Sequence, residues 1–133
     1  FSSQEDGREL KIVLEGAPKL VRIDPEMLEH IFQNLVGNAF KYSKGKANPS
    51  LELNFGIDKV RLSVKDQGIG VPEEDQNKIF NSFYRAENTR GIQGSGMGLS
   101  VVKQMSDMQN LNLRFFSKEG EGSEFVIDIP IYS

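Results

Sequence analysis

Apolar and polar residues alternate over two adjoining stretches of this chain: Leu51, Leu53, Phe55 and Ile57, then, past Asp58-Lys59, Val60, Leu62 and Val64. A period of two turns one face of a strand to the core and leaves the other in water, so the pair reads as a β-hairpin with one buried face. Leu10, Ile12 and Leu14 repeat the pattern, and a second short strand, Lys19 to Ile23, is expected after the turn signal Gly16-Ala17-Pro18. Two further strands close the chain, Leu111/Leu113/Phe115 and Phe125/Ile127/Ile129, joined by the turn Lys118 to Gly122. Half-polar strands need one covering layer and tolerate solvent on the other side.

That layer is predicted from the segments of period 3.6. The longest runs from Pro25 to about Ser43, with Asp24 as N-cap, proline at the first helical position and Leu28, Phe32, Leu35 and Ala39 along one side. A short acidic helix is expected from Pro72 to about Phe80, and a third from Gly98 to about Met108, with Leu99, Val102 and Met105 on its apolar side. The order β-β-α-β-β-α-α-β-β predicts an α/β two-layer sandwich, with a mixed, mostly antiparallel sheet and helices on one face. Residues 1–9 read as a linker remnant and residues 10–133 as one domain. Tyr84 to Gly96 is polar, glycine-punctuated and aperiodic, and so long a loop in a compact domain is usually functional.

Several classes of function are excluded early. The net charge is −3 with both signs interspersed, so there is no basic footprint for nucleic acid or an anionic membrane. The absence of cysteine removes disulfide frameworks and thiolate chemistry. There is no apolar run long enough to cross a bilayer and no signal-peptide pattern, which favours a cytoplasmic domain. The start at Phe1 suggests an excised piece of a longer protein, whose membrane attachment stays open.

Three segments carry chemistry. On the long helix, Asn34, Asn38, Lys41 and Tyr42 fall within about a third of the circumference, away from the apolar stripe. Two carboxamides, a cation and a ring can supply an oxygen ligand for a hard cation, a counter-charge for phosphate and a stacking surface. A solvated face with recurring Asn would look the same. In Val64-Lys65-Asp66-Gln67-Gly68-Ile69-Gly70, alternation turns Asp66 inward, where a carboxylate is costly unless a donor such as an exocyclic amine answers it. Alternatively Asp66 merely caps the glycine turn. Gly94-Ser95-Gly96-Met97-Gly98-Leu99-Ser100 opens a helix with glycines, as an anion site or a flexible cap would. It is neither a Walker A loop nor a dinucleotide fingerprint.

Taken in order, these segments and the run Ile79-Phe80-Asn81-Ser82-Phe83-Tyr84-Arg85 resemble the N, first-glycine, F and second-glycine boxes of sensor histidine kinases, within the GHKL superfamily. The resemblance extends from about Leu10 to Ile131. It implies the Bergerat fold with a mobile ATP lid at about 84–96, and ATP and Mg²⁺ as ligands. It further implies Asn38 as the Mg²⁺ ligand, Asn34 as an additional metal or phosphate contact, Lys41 on phosphate and Tyr42 against adenine. Asp66 would accept from the adenine amine, Gly68 and Gly70 would shape the base pocket, and Arg85 would reach the γ-phosphate. Ser95, Gly96, Gly98 and Leu99 would hold phosphates, while Phe80 and Phe83 would anchor the lid or simply pack. The run Gln109-Asn110-Leu111-Asn112 lacks the family's usual Gly-Gly, so that turn must differ.

ATPases of the superfamily carry a Glu where this chain has Asn34, and a carboxamide cannot take a proton from water. Transfer to an external imidazole is therefore expected, with Asn38, Lys41 and Arg85 positioning the phosphates. The only histidine, His30, reads as structural, which puts the acceptor on a separate dimerisation domain of the parent. A response regulator lies downstream, the isolated domain is a monomer and the parent a homodimer on this reading. A protein-serine kinase like the anti-sigma factors and a non-catalytic ATP-sensing module are the alternatives.

Overall fold

Parallel neighbours in a sheet need a long crossover between them, and here a helix supplies it. In the computed structural model, which describes residues 11–16, 24–43, 45–81 and 98–131, β1 (Lys11–Glu15) pairs in parallel with β2 (Ser50–Phe55), and α1 (Pro25–Lys41) lies between them in sequence. Antiparallel pairing then runs from β2 to β3 (Lys59–Asp66), from β3 to β5 (Gly122–Pro130) and from β5 to β4 (Asn112–Lys118). The sheet order is β1-β2-β3-β5-β4. It is mixed and mostly antiparallel, as the sequence predicts; the strand expected over 19–23 lies outside the described residues.

Register stacks the inward residues into cross-strand rows. Leu53, Leu62, Ile127 and Leu113 form one, and Leu51, Val64, Phe125 and Phe115 the next. The row at the end of the sheet is polar: Asp66, Ser123 and Ser117. Against the apolar rows pack Ile31, Leu35, Val36, Ala39 and Phe40 of α1 and Val102 of α2 (Gly98–Met108), all buried. Each fully buried Leu, Ile or Phe contributes about 1.5–3 kcal/mol. The buried stripe of α1 is broader than the pattern Leu28, Phe32, Leu35, Ala39 indicates, and Leu28 and Phe32 are only half-buried. They line, with Leu53, Phe55 and Ile129, an apolar groove of about 370 Å³ at the sheet end remote from Asp66.

Asp24 caps α1 as expected, its carboxylate accepting from the main-chain N–H of Glu26 at 2.8 Å and Met27 at 3.4 Å. Three expectations need correction. The alternation of β2 does not reach Ile57, which is 94% exposed: the chain turns at Gly56, whose N–H donates to Lys59 O at 2.9 Å. The acidic helix is a 3₁₀ turn, Glu73–Lys78, started by Pro72 without a side-chain cap. The final hairpin begins at Asn112, because Leu111 still belongs to the closure of α2. That closure explains the missing glycines: Asn110 takes φ 55°, a conformation Asn tolerates, and Leu111 N–H donates back to Ser106 O at 2.8 Å.

Behind the sheet, Asp128 is held between Arg61 (2.9 Å) and Arg114 (3.1 Å), with Lys59 at 3.9 Å. Burial pushes the Asp128 carboxyl up, but the bond and charge of Arg61, with Arg114 and Lys59, outweigh it and hold the group below its ordinary value.

Candidate functional site

Asn34, Asn38, Lys41 and Tyr42 are all half-buried, as the wall of a cleft requires. The Asn34 amide nitrogen donates to His30 O at 2.9 Å, one turn back along α1, which leaves its carbonyl oxygen to look outward. At that oxygen α2 begins: a Cβ on Gly98 would lie 2.9 Å from Asn34 Oδ1. Glycine therefore lets the tip of α2 rest on the helix carrying the carboxamides. Further along, Lys41 Nζ sits 5.1 Å from the centre of the Tyr42 ring, within cation–π range. His30 itself is exposed, and what it supplies here is its main-chain carbonyl.

The loop after β3 docks on the other end of α1. Ile69 N–H donates to Tyr42 O at 3.1 Å, and a Cβ on Gly68 would stand 2.1 Å from that oxygen, so only glycine permits the approach. Asp66, 9% exposed, ends β3 beside this contact. Its Oδ1 accepts from Gly68 N–H at 2.9 Å, so the turn-capping role exists, and it exists on a carboxylate that is also buried. Burial raises the Asp66 carboxyl to about 6, against the lowering effect of the Gly68 and Ser123 main-chain N–H groups. Two N–H donors do not offset the desolvation, so the carboxylate retains a strong demand for another donor.

Gly70, at φ 65°, is pressed against the β4–β5 turn: a Cβ there would meet Lys118 O at 2.1 Å. The turn answers with Gly120 N–H donating to Ile69 O at 2.7 Å. Leu99 packs on the core. Phe80 does likewise, edge-on to Phe115 and Phe125 with centroids 6.3 and 6.2 Å away. Arg85, Ser95, Gly96, Phe83 and the stretch 84–96 lie outside the described residues. The structure thus brings together the polar face of α1, the Asp66–Gly68 loop and the Gly98 end of α2.

Sequence reasoning missed Ser117, Ser123 and Gln76. Ser117 Oγ accepts from Val71 N–H, donates to Gly122 O and lies against Ser123 Oγ, each at 2.8 Å. Gln76 Nε2 donates to Val71 O and Ser117 O, both at 3.0 Å. Inward alternation with Phe115 and Phe125 already marked both serines as facing the helices, a signal that was available.

Among the described residues no group of three or more His, Asp or Glu side chains is poised to hold a metal ion. Carboxamide oxygens suit Mg²⁺, which takes one or two protein oxygens when phosphates and water complete its shell.

A protein-family model described as "Histidine kinase-, DNA gyrase B-, and HSP90-like ATPase" matches residues 23–133, and the chain belongs to this family of ATP-binding domains. Within it, the chain is of the sensor histidine kinase type. It is 34% identical over 114 residues to the sensor histidine kinase WalK of Bacillus subtilis, an alignment covering 83% of this chain and 19% of WalK. The mycobacterial sensor histidine kinase MprB superposes with a TM-score of 0.79 at 26% identity, covering 92% of this chain and 84% of that one. Full-length ShkA in complex with AMPPNP gives 0.80 at 26% identity, covering 97% of this chain and 27% of ShkA. The chain thus spans about a fifth of the WalK length. Among its described residues no helix is long and apolar enough to cross a membrane.

Proposed function

We propose that this chain binds Mg-ATP across α1 and donates the γ-phosphoryl group to a histidine on a separate dimerisation domain of its parent, in two-component signalling. One observation carries the reading: a single helix meets the Asp66–Gly68 loop at Tyr42 and the start of α2 at Asn34. A base held at the first contact and phosphates at the second would lie along one polar face. Asp66 accepts from the adenine amine, Gly68 and Gly70 shape the base pocket, and Tyr42 flanks the ring. Lys41 neutralises phosphate charge. Asn38, seconded by Asn34, holds Mg²⁺, which when bound shields the triphosphate from its own repulsion. Arg85, Ser95, Gly96, Gly98 and Leu99 complete the phosphate side, with 84–96 as lid and residues 10–133 as the domain. That ShkA was solved in complex with AMPPNP supports an ATP-like nucleotide as the ligand.

Asn34 decides between transfer and hydrolysis. Its amide nitrogen is engaged with His30 O, and neither end of a carboxamide removes a proton from water at neutral pH. The domain therefore positions ATP and leaves the attack to an incoming imidazole.

Calorimetry with ATP and GTP, with and without Mg²⁺, should show Mg-dependent ATP binding that Asp66→Ala abolishes and Asn38→Ala makes Mg-independent. Mixing the chain with the parent's dimerisation domain should then yield acid-labile phosphohistidine. An acid-stable phosphoserine, or ATP binding without transfer, would replace this reading by one of its alternatives.

A further inference from the structure

Only one arrangement of hydroxyl hydrogens makes all three contacts of Ser117 hydrogen bonds. Val71 N–H can only donate and Gly122 O can only accept, so in that arrangement the Ser117 hydrogen goes to Gly122 O and Val71 fills one lone pair. The 2.8 Å contact with Ser123 Oγ is then satisfied only if Ser123 donates. A hydroxyl has one donor and two acceptor positions, and at Ser117 all three are used. Ser123, next to Asp66 in the end row of the sheet, is left with lone pairs alone to offer.

We propose that Ser117 is a positioning residue for base selection: by taking the Ser123 proton, it makes the floor beside Asp66 accept and not donate. An ionised Asp66 is likewise acceptor-only. Such a floor matches the amine of adenine and opposes the carbonyl oxygen that guanine carries at the same place. Ser117 also holds the loop itself, through Val71, while Gln76 clamps Val71 O to Ser117 O. This inference rests on the adenine-site reading above.

Calorimetric titration of the chain with ATP and with GTP tests it. Ser117→Ala frees the Ser123 hydroxyl to rotate and donate, so the ratio of ATP to GTP affinity should fall roughly tenfold, the scale of one hydrogen bond's preference. Ser117→Thr keeps the hydroxyl and should restore the ratio. Ser123→Ala, which removes the oxygen that Ser117 orients, should lower the ratio by itself and serves if Ser117→Ala does not fold. A merely structural Ser117 would lower the melting temperature and leave the ratio unmoved in both alanine variants, which overturns the proposal. If the unmodified chain takes up no ATP, the site reading falls and this proposal with it. If it binds ATP through Asp66 while the ratio ignores Ser117 and Ser123, this proposal alone falls.

Discussion

Asp66→Asn should make the domain more stable at neutral pH while removing its nucleotide affinity. Burial raises the Asp66 carboxyl from 3.8 to about 6, a shift of about two units, or about 3 kcal/mol for keeping the charged form in the ligand-free fold. Asn keeps an oxygen for Gly68 N–H and presents an amide where Ser123 N–H bonds the carboxylate, forfeiting about 1 kcal/mol. The net expectation is a gain of about 2 kcal/mol at pH 7.5. Its pH dependence has a definite sign. Between 3.8 and about 6 the folded protein holds the Asp66 proton that the unfolded chain has released, so falling pH stabilises the parent through that window. Asn does not titrate, so its advantage should shrink below pH 6 and reverse by the lost bond near pH 4. Urea unfolding of both proteins at several pH values between 7.5 and 4 reads this directly. A stability difference that stays constant over that range would refute a desolvated carboxylate.

ATP affinity should weaken as pH falls below about 6, because protonation removes the charge that strengthens the bond Asp66 accepts from an amine; Mg-tripolyphosphate, which lacks the base, controls for phosphate titration in the same calorimeter. Gly68→Ala drives a Cβ to 2.1 Å from Tyr42 O, and at least about a tenfold loss of ATP affinity with a lower melting temperature is expected from displacing that loop. Asp24→Ala should cost about 1 kcal/mol by uncapping α1, roughly 3–5 °C in thermal melting, with ATP affinity unchanged.

Periodicity made the layers legible because burial on one face is a property of each strand and helix separately. The hairpin of β2 and β3, the stripe of α2 and the cap at Asp24 were readable for that reason. Ile57 was not, since alternation continues through it while Gly56 turns the backbone. Asn110 replaces an expected glycine at positive φ by means of a side-chain type, and a sequence pattern tuned to Gly-Gly overlooks it. Asp66 could be assigned inward from its own strand. Ser117 and Ser123 could not acquire a role that way, because their chemistry depends on β4, β5 and the loop after β3 meeting in one register. The groove along Leu28 and Phe32 was likewise concealed: a helical stripe shows which residues avoid water, not whether a neighbour reaches them.

Because Asn34 stands within α1 and Tyr42 is the residue that caps its C-terminal end, the distance between the two ends of the cleft is set by the rise of the helix turns, roughly 1.5 Å per residue or about 12 Å in all. α1 is thus a ruler, and its graduations are peptide units. Inserting one residue between these marks would lengthen the gauge only slightly but swing one end about 100° around the axis. Evolution can more readily restyle the exposed connection 45–48, which ends at the buried Pro49, whereas the stretch from Asn34 to Tyr42 admits substitution but not a change of count.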